Sequence, residues 1–196
     1  TSGGDGGMIT TNKKEFAKDL KTLSYHGWDQ DPLVRHKKSL KGNMKVKHWN
    51  YSITKLGFKY NMTDLMASIG MEQLKKLKFF NRRRSQLIKN YINSIKNCKN
   101  ITPAFPYKFQ NSSYWMFTLK CKKRDQLIDF LKSKKIATTV YIKPLPLHPL
   151  YKKYKNRIQN SIKIWKDLVT IPTYPNMTNS QFNYVVKNLK EFDRNF

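Results

Sequence analysis

The sequence predicts an α/β fold, and three observations carry that prediction. In the second half of the chain, short β-branched or aromatic runs alternate with segments of helical period, as in "SYWMFTLKC", "RDQLIDFLKSKK" and "IATTVYI"; such alternation marks a sheet layer covered by helices. Near the middle, residues 62–97 repeat apolar side chains at helical intervals. A hydrophobic share of 39% and an aromatic share of 13% can fill a core, while no apolar run approaches the length that crosses a bilayer.

The chain opens on "TSGGDGGMITTN". Gly3, Gly4, Gly6 and Gly7 let the backbone turn and pass close to another group, and glycine loops of this kind often cradle phosphate. No strand precedes this loop and no helix directly follows it, so it fits neither the dinucleotide loop nor the P-loop. By itself it reads as a turn into a short strand, Gly6 to Thr10. "NKKEFAKDLKTLSYHG" then predicts a helix capped by Asn12, with Phe16, Leu20 and Leu23 on one face and Gly27 at its end. Residues 28–56 have no clear period and read as a long excursion, of the kind that is usually functional or mobile.

Thr63 or Asp64 can cap the next helix. Met66, Ile69, Leu74, Leu77 and Phe80 recur along it, and Leu87, Ile88, Tyr91 and Ile95 continue the pattern. A helix of that length joins two domains, with the boundary in or just after it, near Cys98. Beyond it the sequence predicts a strand from Ser113 to Cys121, a helix over "RDQLIDFLKSKK" with Leu127, Phe130 and Leu131 buried, and a strand over "IATTVYI". There follow a proline-punctuated loop over "PLPLHPLYKKY", a helix over "IQNSIKIWKDLV", an extended "TIPTYP" and a capped terminal helix over "TNSQFNYVVKNLKEF".

The net charge of +27 points toward a polyanion partner. Lys far outnumbers Arg, however, and Asn and Ile are abundant with it, as in "KNYINSIKNCKNI". These residues share A/T-rich codons, and Lys is the poorer residue for bidentate recognition. Compositional drift therefore accounts for the charge better than nucleic-acid binding, and a positive field still favours small anionic ligands. Cys98 and Cys121, with His26, His36, His48 and His148, have no metal-ligand spacing; no metal is expected. Sparse cysteine suits a reducing, cytoplasmic setting. "NRRR" at 81–84 reads as a solvated helix face, and no Ser/His/Asp or Cys/His arrangement stands out.

The order of these segments along the chain is more specific than any one of them. "TSGGDGGMITTN", "LSYHG", "WNYSITKLGFKYNMTDLMASIGMEQLKKL", "SYWMFTLK", "VYIKPLPLHPLY" and "TIPTYPNMT" resemble, over essentially the whole chain, the DegT/DnrJ/StrS family of sugar aminotransferases. The most specific element is "GFKYNMTDLMASIGMEQL". The resemblance implies the C-terminal half of an aspartate-aminotransferase-type (fold type I) enzyme. Residues 1–61 would end the large cofactor domain and carry an active-site loop, 62–97 would form the linking helix, and 98–196 the small α/β domain. The implied cofactor is pyridoxal 5'-phosphate (PLP), the implied substrate a nucleotide-linked keto-deoxysugar, the implied amino donor glutamate and the implied assembly a homodimer. "WMF" and "GFKYNMTD" are similar to the branch that aminates the sugar at C4.

In the family, "TSGGDGG" follows the lysine that holds PLP as a Schiff base. The resemblance thus implies that this lysine, the acid that pairs with the pyridine nitrogen and most of the phosphate-binding residues precede Thr1, and that the 196 residues alone are inactive. The "GFKYN" turn would reach the partner subunit's PLP phosphate, Asn61 offering an amide and Lys59 a charge; many family members have Asn and Arg at these two places. His26 would lie in the active-site "HG" loop. Trp49 and Tyr51 would line the sugar-nucleotide entrance. Lys143, His148 and Tyr151 would belong to a loop that closes over substrate, where family members often have His in place of Pro146. A dehydratase of the same family, with His in place of the Schiff-base lysine, and a basic nucleic-acid-binding protein remain the alternatives.

Overall fold

A computed structural model of the chain describes residues 6–40, 47, 49–108 and 113–196. Residues 1–5 of the opening glycine turn and His48 lie outside the described residues. The chain divides into two compact units, Thr1–Lys76 and Leu77–Phe196.

In the first unit, Gly6–Thr10 forms no strand. A strand exists only where its backbone groups find a neighbour, and no described strand pairs with this one. Helix α1 (Lys14–Ser24) starts later than Asn12 would place it; its cap residue is Lys13, whose N–H donates to Thr11 Oγ1 at 3.1 Å. Its end is as expected. The N–H groups of Tyr25 and Gly27 both reach Thr22 O, and the chain leaves the helix through His26 and Gly27, at φ 56° and 74°.

The excursion at 28–56 contains a helix that the sequence reading lacks, α2 (Pro32–Leu40). The Asp31 carboxylate caps it, accepting from the N–H of Leu33 at 2.8 Å, and Pro32 fills the first position, where no N–H is needed. Among the described residues of this unit no apolar side chain is buried.

Helix α3 (Asp64–Ile95) begins in the first unit and ends in the second. Thr63 Oγ1 accepts from Met66 N at 3.4 Å, so Thr63 rather than Asp64 caps it. In the second unit α3 buries Leu87, Ile88, Tyr91 and Ile95, the spacing of a single helical face. That face packs into a core shared with a three-stranded antiparallel sheet of order β1–β2–β3: β1 (Thr102–Pro103), β2 (Phe117–Lys120) and β3 (Leu168–Ile171). Phe117 faces Ile171 and Leu119 faces Val169 across β2 and β3. Strand β1, too short to carry a period, is absent from the sequence reading, and β2 is shorter than Ser113–Cys121.

The run "IATTVYI" is not a strand. Only Thr139 pairs, exchanging two backbone hydrogen bonds of 3.0 and 2.8 Å with Thr170. Its neighbour β3 ends one residue on, at Ile171, because Pro172 has no N–H to donate. Helix α4 (Arg124–Ser133) buries Leu127 and Leu131, while Phe130 is only partly covered. The proline-punctuated segment winds into two 3-10 helices, Leu145–Leu147 and Pro149–Ile158. After α5 (Gln159–Lys166) and β3, helix α6 (Asn179–Asn195) opens on a reciprocal cap. Gln181 N donates to Thr178 Oγ1 at 3.2 Å, and Thr178 N donates to Gln181 Oε1 at 2.9 Å.

Candidate functional site

The first unit laces the "HG" turn to the "GFKYN" turn. His26 N donates to Phe58 O at 2.9 Å, Phe58 N to Leu23 O at 2.8 Å and Tyr60 N to Ser24 O at 2.8 Å. Gly27 O in turn accepts from Thr54 N at 2.9 Å. An ion pair of 2.6 Å between Lys55 and Asp19 adds a side-chain tie. These bonds hold Tyr25 beside Lys59, whose ammonium lies 3.8 Å from the Tyr25 ring centre. Asn61 follows, exposed, two residues on. A stacked Phe58–Tyr60 pair stiffens the turn between them, with ring centres 5.1 Å apart.

A second group forms around Trp28. Its ring lies 4.2 Å from that of Tyr51 and 5.6 Å from that of His26. The guanidinium of Arg35 packs 4.9 Å from both the Trp28 and Tyr51 ring centres. Arg35 is only 4% exposed, and its Nε and Nη1 have no hydrogen-bond partner among the described residues. The two π-faces therefore take the place of hydrogen-bond partners for these two nitrogens. The structure thus brings His26 and Tyr51 into one aromatic group, with Trp28 and Arg35 as members that sequence reasoning missed. The available signal was "DQDP", a cap and first-turn proline that place Arg35 on a helix. Trp49 is exposed, with the Lys47 ammonium 5.5 Å from its ring centre.

In the second unit, Lys143, His148 and Tyr151 follow one another along the proline-rich segment, all exposed. His148 joins the two 3-10 helices: its N–H donates to Leu145 O at 2.9 Å, and its carbonyl accepts from Tyr151 N at 3.0 Å. "NRRR" is not the solvated face expected, apart from Arg82. Arg83 Nη2 donates to Met177 O at 2.8 Å, and Arg84 lines a cavity of about 410 Å³ with Trp115, Thr138, Thr139, Tyr141 and Tyr174. Helical period could have flagged the inward turn of Arg84, which precedes the buried Leu87 and Ile88 by one turn.

Chemically, the first unit offers an exposed amide and an ammonium on a turn braced by backbone bonds, the kind of donor pair that holds a phosphate. Both Lys59 and Asn61 are exposed, so their donors are open to an anionic group such as a phosphate.

The model of the DegT/DnrJ/EryC1/StrS aminotransferase family matches residues 2–190. MJ1066 of Methanocaldococcus jannaschii, itself uncharacterized, is 33% identical over 198 residues, covering 96% of this chain and 50% of that protein. The spore coat polysaccharide biosynthesis protein SpsC of Bacillus subtilis is 28% identical, covering 96% of this chain and 49% of that protein. Among solved structures, Spr1654 of Streptococcus pneumoniae in its PMP form, provisionally described as a sugar aminotransferase, superposes with a TM-score of 0.79 at 25% identity. That likeness covers 94% of this chain and 46% of the other. The chain spans about half the length of the curated relatives it matches. Its α/β fold is the fold type I architecture of these neighbours.

Proposed function

Because the chain belongs to the DegT/DnrJ/EryC1/StrS aminotransferase family, we propose that it is the C-terminal part of a PLP-dependent sugar aminotransferase that acts, as a homodimer, on a nucleotide-linked keto-deoxysugar with glutamate as amino donor. The observation that carries this reading is the family match across residues 2–190. A sugar-polymer context agrees with SpsC, named for spore coat polysaccharide biosynthesis. PLP is the cofactor that fits: Spr1654 is known in PLP and PMP forms, and the Lys59–Asn61 turn presents the donors a phosphate requires.

When bound, PLP supplies an electron sink for moving an amino group. The residues of this chain bind and orient. Lys59 and Asn61 hold the phosphate of the cofactor seated in the partner subunit. The backbone bonds between the two turns keep that pair at a constant offset from His26. His26 and Tyr51, backed by Trp28 and Arg35, form a wall against which the sugar nucleotide rests, with Trp49 at its entrance. Lys143, His148 and Tyr151, exposed on the proline-rich segment of the second unit, are a separate group of substrate-binding residues. In this scheme residues 1–61 end the cofactor domain, 62–97 link and 98–196 form the small domain.

The residue encoded a few positions before Thr1 tests the reading. Lysine there supports an aminotransferase. Histidine converts the proposal to a dehydratase of the same family, and an unrelated sequence overturns both.

A further inference from the structure

The end of α3 and the last turns of α6 flank a cleft of about 430 Å³ in the Leu77–Phe196 unit. Lys187, Lys190 and Arg194 line it from α6 at i, i+3 and i+7, one helical face, and Lys96 lines it from the turn after α3. One acid, Asp193, is among the lining residues, and its carboxylate is already engaged. Asp193 Oδ2 accepts from Lys99 N at 3.0 Å, and Oδ1 accepts from Asn100 N at 2.6 Å. Among the described residues, none of the four cations is in an ion pair. Four cations and one carboxylate therefore line the hollow, which leaves its lining net positive even with Asp193 counted. A concave, like-charged surface concentrates its field in a way that a convex lysine face does not.

The lining also says which anion fits. No aromatic ring is present, so nothing can stack a base, and stacking is what single-stranded nucleic acids require of their sites. Three of the four cations are point charges on flexible stems, suited to clustered phosphate oxygens more than to a planar carboxylate. Asn93, Ser94 and Asn97 add neutral donors. We propose that this cleft binds a short oligophosphate, its successive phosphates held by Lys96, Lys187, Lys190 and Arg194, whether the phosphates stand alone or form the tail of a nucleotide. This is independent of the proposed aminotransferase reading, which uses none of these residues.

Cys98 lies in the cleft and is half-buried, while Cys121, the other cysteine, is buried in the core. Alkylation of Cys98 therefore reports occupancy. In the 196-residue chain at physiological salt, inorganic tripolyphosphate should slow iodoacetamide labelling of Cys98 with saturation. ATP should act alike and adenosine should do nothing. Lys187→Gln with Lys190→Gln should weaken the apparent affinity by about tenfold or more, as loss of charge-assisted hydrogen bonds does. Each variant is read against its own unliganded rate, and Lys96→Gln provides a second, milder variant. Lys132→Gln with Lys163→Gln removes the same charge from exposed positions outside the cleft and should leave the affinity within about twofold. Equal loss in that matched control, slowing without saturation, or protection by RNA but not by tripolyphosphate would each overturn the proposal.

Discussion

Gly27 and Gly57 meet backbone to backbone: a Cβ added to Gly57 would stand 2.1 Å from Gly27 N, and one added to Gly27 would stand 1.7 Å from Lys55 O. Gly27 is also at φ 74°, where L side chains are strained. This contact lets the "HG" turn and the "GFKYN" turn exchange their hydrogen bonds, so it sets the offset between His26 and the Lys59–Asn61 pair. Gly57→Ala should separate the turns, at a local cost of about 1–3 kcal/mol. Hydrogen exchange at the His26 amide, which donates to Phe58 O, should accelerate by at least about tenfold. Gly70, on α3 with nothing within 4 Å of its added Cβ, is the contrast. Gly70→Ala should be neutral or stabilise by about 0.5–1 kcal/mol.

Asn61→Ala in a complete enzyme should weaken PLP by about ten- to a hundredfold, the loss of one hydrogen bond to a charged phosphate. Mixing subunits decides whose cofactor Asn61 serves. If one subunit lacks the cofactor-bonding lysine and its partner carries Asn61→Ala, a clamp acting across the interface leaves one intact site per mixed dimer. Verified mixed dimers should then recover activity at limiting PLP. Absence of recovery assigns Asn61 to its own subunit.

The 196-residue chain by itself should show no transaminase activity and no single-site, borohydride-trappable PLP adduct. On the proposed reading, the cofactor-bonding lysine lies outside these 196 residues. It should also bind hydrophobic dyes, because the first unit displays Leu56 at 87% exposure and Tyr60 at 73%. A stoichiometric adduct on one lysine would refute this.

High pH should destabilise the second unit. Burial pushes the Tyr91 phenol well above its ordinary value of 10.0, with a smaller push from Tyr174; burial also raises Tyr107, Cys98 and Cys121. Each of these groups holds its proton more tightly folded than unfolded. Their contribution is fully present below the unfolded values, 9.0 for the thiols and 10.0 for the phenols, and is lost as pH rises beyond them. Lysines discharge over the same range and relieve repulsion, so the informative quantity is the difference between wild type and Tyr91→Phe. The variant loses the Tyr91 hydroxyl bond to Pro172 O, 3.1 Å, and should be about 1 kcal/mol less stable near neutrality. Urea titrations should show that gap narrowing above about pH 10; a gap that widens contradicts the assignment.

Thr178→Ala should cost about 1 kcal/mol, because it leaves Gln181 N without its cap at the start of the helix that carries Val185, Leu189 and Phe192 into the core. Thr178→Ser keeps the hydroxyl and should recover most of that loss in the same urea titration.

What could be read from the residues alone was whatever is decided within a few positions of chain. The period of α3 at Leu87, Ile88, Tyr91 and Ile95, the capped start of the terminal helix at "TNSQ", and the unwinding of α1 at Gly27 depend on neighbours one to four residues away, and all appear where the pattern puts them. The site candidates were legible only through the order of motifs along the chain. Three outcomes needed the assembled fold: the failure of Gly6–Thr10 and "IATTVYI" to become strands, the burial of Arg35 between Trp28 and Tyr51, and the inward turn of Arg84. Each turns on a partner distant in sequence. A strand needs another strand's backbone, and Thr139 finds Thr170 where Gly6–Thr10 finds none among the described residues. An arginine is buried only when something else covers its charge, and the ring of Tyr51 that helps cover Arg35 lies well beyond the helix that carries it. Local preference reaches no farther than the hydrogen bonds and side-chain contacts of one turn, and everything beyond that distance was settled by folding.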